Sequence, residues 1–147
     1  MGMPMENLIQ ALRDHGIAVT PQRLAVLSSL QSRRDHPTAE KIYLEVRRQL
    51  QAISFNTVYK TLEILCQKGM VIKVNPLHAV ARYDGVTGPH AHLICRQCHR
   101  ITDLDWEASE IPALPARDLH GFRVEQPSLT FWGLCPGCQA AEPHQED

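Results

Sequence analysis

Aromatic residues are scarce in this chain: three Phe, three Tyr and two Trp among 147 residues. Any core must therefore be largely aliphatic, which a hydrophobic content of 44% permits, and a small domain short of aromatic bulk gains from a metal staple. No apolar run approaches the roughly 18 to 20 residues of a membrane span, and Met1 to Asn7 lacks the charged and apolar regions of a signal peptide, so no membrane partner and a cytoplasmic location are expected. Low-complexity tracts are missing, as are internal repeats beyond two short cysteine pairs. The length allows one ordinary domain or two small ones, and two are expected.

Neither sign of charge dominates overall, but the halves differ. Residues 1–82 carry 11 Lys/Arg against 6 Asp/Glu, and residues 83–147 carry 4 against 10. A modestly basic first half suits an anionic partner such as nucleic acid.

The cysteines are more specific. Cys95-Arg96-Gln97-Cys98 and Cys135-Pro136-Gly137-Cys138 form two knuckles, with Cys135 standing 37 positions after Cys98. Four thiols in this pattern make the closed tetrahedral cage of a structural Zn(2+), and a reducing compartment favours metal over disulfide. A reversible redox switch is the competing reading. The fifth cysteine, Cys66, sits among Leu62, Ile64 and Leu65 and reads as a buried small hydrophobe. Just ahead of the first knuckle lies His90-Ala91-His92. Alternation along a strand puts His90 and His92 on one face and Cys95 on the other, so one strand can serve a structural metal and an exchangeable one.

Helix signals crowd the first half. Glu6 to His15 has helical apolar spacing and stops at Gly16. Thr20-Pro21 opens a second helix, Thr38 a third running toward Leu50, and Ser54 a fourth ending at Gly69. Met70 to Val74 reads as a strand that turns at Asn75-Pro76 and returns over Ala79 to Tyr83. Helices followed by a hairpin outline a winged helix-turn-helix, whose recognition helix enters the major groove. Its leading residues Ser54, Asn56, Thr57, Tyr59 and Lys60 are the candidate DNA contacts, with Tyr59 and Lys60 near phosphates and Asn56 and Thr57 near base edges. A solvated helix face has the same pattern.

Gly85 to Pro89 is turn-rich and reads as a hinge. Strands are expected at His92 to Cys95, Arg100 to Leu104 and Arg123 to Phe131, with a helical stretch between Ser109 and His120 broken by Pro112 and Pro115. His120 reads as a structural hydrogen-bonding residue and His144 as idle. The resulting division is a DNA-binding domain over 1–83, a hinge at 84–88, a metal-binding domain over 89–138 and a frayed, disordered tail at 139–147. The fold class is α+β: an N-terminal winged helix-turn-helix, then a small C-terminal α/β domain with a structural zinc site.

His36-Pro37-Thr38-Ala39-Glu40-Lys41-Ile42-Tyr43, Asn56-Thr57-Val58-Tyr59-Lys60-Thr61-Leu62, Arg82-Tyr83-Asp84, Pro89-His90-Ala91-His92-Leu93-Ile94-Cys95 and Gly133-Leu134-Cys135-Pro136-Gly137-Cys138 together resemble the ferric uptake regulator superfamily, in order and spacing, over roughly residues 5 to 138. The resemblance implies a homodimeric, metal-responsive repressor that binds double-stranded operator DNA, with the C-terminal domain dimerising. It also implies a regulatory Fe(2+) or Mn(2+) on His36, Asp84, His90, His92 and Asp103, the ligand set of the peroxide-responsive branch. In that branch the histidines matching His36 and His90 are the oxidation-sensitive ones. Such oxidation is a single-use sensing event, so no enzyme and no small organic substrate are expected. Iron-uptake relatives usually place glutamates where Asp84 and Asp103 stand. A further site of many such relatives would fall on Pro89, Ala91 and Pro127, which cannot ligate. His99 stands where relatives commonly have glycine.

Three imidazoles and two carboxylates form a nitrogen and oxygen set harder than the thiolate cage, suited to iron(II) or manganese(II). Asp105 shares a strand face with Asp103 and is its alternative, although the spacing from Cys98 favours Asp103. A histidine before a proline, as at His36, is otherwise usually a surface or capping residue. The alternative functions are an iron-uptake repressor sensing iron(II) sufficiency, a small non-haem iron oxygenase using His90, His92 and an aspartate, and a zinc-ribbon interaction adaptor.

Overall fold

Three helices of the first half begin where a hydroxyl caps them. The N–H of Arg23 donates to Thr20 Oγ1, that of Lys41 to Thr38 Oγ1 and that of Thr57 to Ser54 Oγ, satisfying N–H groups that the helix itself cannot. The computed structural model describes residues 3–31, 33, 35–74, 80–85, 90–105, 114, 118–124 and 127–142. The capped helices are α2 (Pro21–Leu30), α3 (Ala39–Val46) and α4 (Phe55–Gln67), preceded by α1 (Met5–Asp14). Helices α1 and α4 end as their glycines require. Gly16 and Gly69 hold φ of 70° and 75°, and the N–H groups of Ile17 and Met70 reach back to the carbonyls of Leu12 and Leu65 at 2.9 Å.

The chain divides into two compact units, Met1–Thr87 and Gly88–Asp147. In the first, one aliphatic face from each helix closes a common core. Leu8 and Leu12 of α1, Val26, Leu27 and Leu30 of α2, Ile42 and Val46 of α3, and Val58, Leu62 and Leu65 of α4 are all buried. Each such side chain contributes roughly 1.5–3 kcal/mol relative to exposure. Cys66 is half-buried against this core, and burial pushes its thiol pKa up, in keeping with a packing role. A two-stranded antiparallel hairpin, β1 (Ile72–Val74) and β2 (Arg82–Asp84), follows the helices, with Ile72 opposite Asp84. Helices plus hairpin give the winged helix-turn-helix outline. The return strand starts at Arg82, later than its expected start at Ala79; the turn at Asn75-Pro76 lies outside the described residues.

The second unit is a three-stranded sheet in the order β4-β3-β5, formed by β3 (His90–Cys95), β4 (Ile101–Asp105) and β5 (Leu129–Gly133), followed by α5 (Pro136–Ala141). Strand β4 runs antiparallel to β3 and β5 parallel to it. The last strand begins at Leu129, not at Arg123, because Pro127 has no N–H to donate to a ladder. Gln139 to Ala141, expected to fray, are helical: the Gln139 N–H donates to the Cys135 carbonyl at 3.0 Å, and its side-chain amide donates to the Leu134 carbonyl at 2.8 Å. Hinge residues 86–88, most of the stretch 109–120 and the tail beyond 142 lie outside the described residues. Among the described residues no helix is long and apolar enough to cross a membrane.

Candidate metal centres

The sulfur cage is built from two chain reversals. Strand β3 ends at Cys95, and the chain turns so that the Cys95 N–H donates to the Arg100 carbonyl at 2.9 Å while the His99 N–H donates to the Cys95 carbonyl at 3.0 Å. His99 completes this knuckle with φ of 63°, the left-handed geometry that glycine adopts without strain. On the other side Cys135 is the N-cap of α5, Pro136 is its first residue, and Cys138 lies in the first turn. The Arg96 N–H, donating to the Gly133 carbonyl at 2.8 Å, ties the two reversals together.

The sulfurs of Cys95, Cys98, Cys135 and Cys138 all lie within 4.8 Å of one another, and those of Cys98 and Cys135 are 3.7 Å apart. Tetrahedral zinc with bonds of about 2.3 Å separates its sulfurs by about 3.8 Å. Backbone N–H groups of Cys135 and Cys98 pull the Cys95 thiol down to about 5, and those of Cys138 lower Cys135. Cys138 is pushed up to about 12, chiefly by its hydrogen bond with Cys135. Backbone N–H groups thus favour the thiolate at Cys95 and Cys135, the form in which a cysteine ligates zinc. Four thiols in this geometry suit structural zinc.

Each unit contributes histidine and aspartate donors. In the first unit, Tyr83 of β2 donates its N–H to the Pro37 carbonyl at 3.0 Å, and Thr38 bridges to Arg82. This sets the segment ahead of α3 beside β2, placing His36 Nε2 3.3 Å from Asp84 Oδ2 with both side chains buried. His36 is itself left-handed, at φ of 48°. Gly85 allows the close pass behind Asp84: a Cβ there would stand 2.8 Å from the Leu30 carbonyl oxygen.

In the second unit, His90 and His92 share a face of β3. Their Nε2 atoms are 3.1 Å apart and their rings meet edge-on. Asp103 is opposite His92 across the β3–β4 ladder, and its Oδ1 lies 3.6 Å from both Nε2 atoms. Donors about 3 Å apart match neighbouring positions around an ion with bonds near 2.1 Å. Asp105 pairs with His90 in register but is exposed at the end of the strand, so Asp103 is the carboxylate that meets the imidazoles. The imidazole and carboxylate donors suit a regulatory metal harder than the thiolate cage takes.

At the start of α4, Ser54, Asn56, Tyr59 and Lys60 are exposed, and Thr57 is partly so, its hydroxyl 2.9 Å from Ser54 Oγ within the cap. An unanticipated aromatic group adjoins them. Phe55 stacks on Tyr59 with ring centres 6.4 Å apart and meets Tyr43 edge-on at 5.7 Å, with the Arg47 guanidinium over Tyr43. The four-residue spacing of Phe55 and Tyr59 was its only sequence signal.

The chain matches the model of the ferric uptake regulator family over residues 14–132. It is 37% identical over 134 residues to the transcriptional regulator FurA of Mycobacterium tuberculosis, covering 90% of each chain. It is 31% identical over 140 residues to the peroxide operon regulator of Bacillus subtilis, covering 95% of this chain and 97% of that one. The crystal structure of the Campylobacter jejuni peroxide stress regulator superposes with a TM-score of 0.65 at 27% identity, covering 92% of this chain and 99% of that one. The chain therefore belongs to the ferric uptake regulator family, and it is a metal-responsive transcriptional regulator, not an enzyme.

Proposed function

We propose that this chain is a cytoplasmic, homodimeric repressor that reports peroxide through oxidation of its own ligand histidines. The observation carrying this reading is the buried nitrogen and oxygen donor set: His36 with Asp84, and Asp103 equidistant from His90 and His92. Aspartate at both carboxylate positions is the pattern of the peroxide-responsive branch, and the peroxide operon regulator of Bacillus subtilis is similar over nearly the whole chain. In this reading His36, Asp84, His90, His92 and Asp103 hold one iron(II) or manganese(II). When bound, iron(II) supplies one-electron reduction of peroxide, which manganese(II) does not.

The protein's part is to present oxidisable imidazoles. Once His36 or His90 has taken up oxygen it is a poorer donor, and the bias that metal binding gives to the DNA-binding arrangement is lost. A 100-fold difference in metal affinity between two arrangements corresponds to roughly 2.7 kcal/mol of such bias. Ser54, Asn56, Thr57, Tyr59 and Lys60 contact the operator. The exposed apolar pair Leu93 and Phe131, in register on neighbouring strands, supports pairing of two copies through this sheet.

The test is to load purified protein with iron(II) or manganese(II), add micromolar peroxide, and follow both peptide mass and operator binding. An iron-dependent gain of one oxygen atom at His36 or His90, with loss of the gel shift, is expected. An iron-loaded protein that binds operator and does not react is instead a repressor of iron sufficiency, and turnover of an organic substrate with oxygen is the mark of an oxygenase.

A further inference from the structure

His36 occupies a backbone conformation that non-glycine residues rarely hold, immediately before Pro37, whose ring narrows the choices of the residue preceding it. A conformer of this kind persists only when its surroundings over-determine it. The C-terminal flank is accounted for by the Tyr83–Pro37 hydrogen bond and the Thr38–Arg82 bridge.

The N-terminal flank carries an ionic network that none of the motifs anticipates. Arg33 grips Asp35 as a fork, Nε donating to Oδ1 at 2.8 Å and Nη2 to Oδ2 at 2.7 Å. Lys41 Nζ donates to the same Oδ2 at 2.7 Å, and Arg33 Nη1 donates to Glu45. Lys41 and Glu45 are four residues apart on α3, one above the other on its surface. The residue just before His36 is thereby bolted to the helix that starts just after it. Isolated surface ion pairs do little, but a bidentate arginine fork within a network fixes direction as well as distance. Arg33 is largely shielded, at 17% side-chain exposure.

We propose that the Arg33–Asp35 fork, braced on α3 by Lys41 and Glu45, is a positioning device that holds His36 in its left-handed conformation and so sets the affinity for the regulatory metal. This rests on the metal role proposed for His36. Neither Arg33 nor Asp35 is a ligand in this scheme; both act through the histidine.

The test is a double-mutant cycle on the full, zinc-replete chain, with manganese affinity read from the EPR signal of the free ion. Asp35→Asn keeps the side-chain shape and removes the charge that the fork grips. Its affinity should fall about tenfold, equivalent to about 1.4 kcal/mol, whereas in a His36→Ala background the same change should alter affinity less than about twofold. Arg33→Lys, which keeps the charge but not the fork, should fall in between. Undiminished affinity in Asp35→Asn overturns the positioning role, as does an equal tenfold loss in both backgrounds, which marks a general structural effect. His36→Ala with wild-type affinity overturns the metal reading itself, so the two failures are distinguishable.

Discussion

The backbone N–H of Tyr83 donates to the carbonyl of Pro37 at 3.0 Å, and this bond aligns the residue before Pro37 with the residue after Tyr83. His36 and Asp84 consequently meet at 3.3 Å, although 48 positions separate them in the sequence. A buried imidazole and a buried carboxylate are costly unless each faces a partner or a cation, and the backbone bond fixes their meeting without recruiting either side chain.

Gly85 makes that alignment possible, so Gly85→Ala should disturb it. The added Cβ would lie 2.8 Å from a backbone carbonyl oxygen, which cannot rotate away as a side chain could. A loss of about 1–3 kcal/mol is expected, seen as a lower urea midpoint with an unchanged slope. An unaltered midpoint would show that β2 shifts freely from α2.

His99→Gly should stabilise the second unit. The histidine holds φ of 63°, and releasing a left-handed non-glycine residue is worth about 1 kcal/mol. Competition against a chromophoric chelator should show tighter zinc binding in the variant. Weaker binding would mean that the imidazole supports the knuckle in some other way.

Tyr83 predicts an alkaline limb in stability. Burial pushes its phenol up to about 12 from an ordinary value of 10.0, so the folded state prefers the neutral form. This contribution is fully present below pH 10 and is lost as the pH rises from 10 toward 12, by up to about 1.4 kcal/mol per pH unit. Tyr83→Phe should flatten that part of the profile in denaturant titrations, and an identical limb in the variant would reassign it to other groups.

Removing zinc should unfold the second unit while leaving the first intact. The sheet there is short and its neighbouring chain reversals meet at the sulfurs, so metal binding is a large part of its folding free energy. With a strong chelator, or in Cys98→Ser, amide exchange should become fast in β3 to β5 and stay slow in α2 and α4. Retained protection in β3 would show that the sheet folds without the cage.

The features legible in the chain alone are those whose cause is local. Thr20, Thr38 and Ser54 cap helices because each hydroxyl needs only the N–H three residues on, and Gly16 and Gly69 end helices because only the backbone of the same turn is involved. The cysteine pairs declare themselves likewise, since a knuckle is set by two intervening residues. By contrast, the parallel pairing of β5 with β3, the left-handed backbone of His36 and the Arg33–Asp35 brace were decided by the tertiary structure. Each depends on bringing distant segments into register or on neighbours that hold a disfavoured conformation in place. Periodicity carries no information about which partner a strand or carboxylate will meet, because that choice is made by the packing of the whole unit.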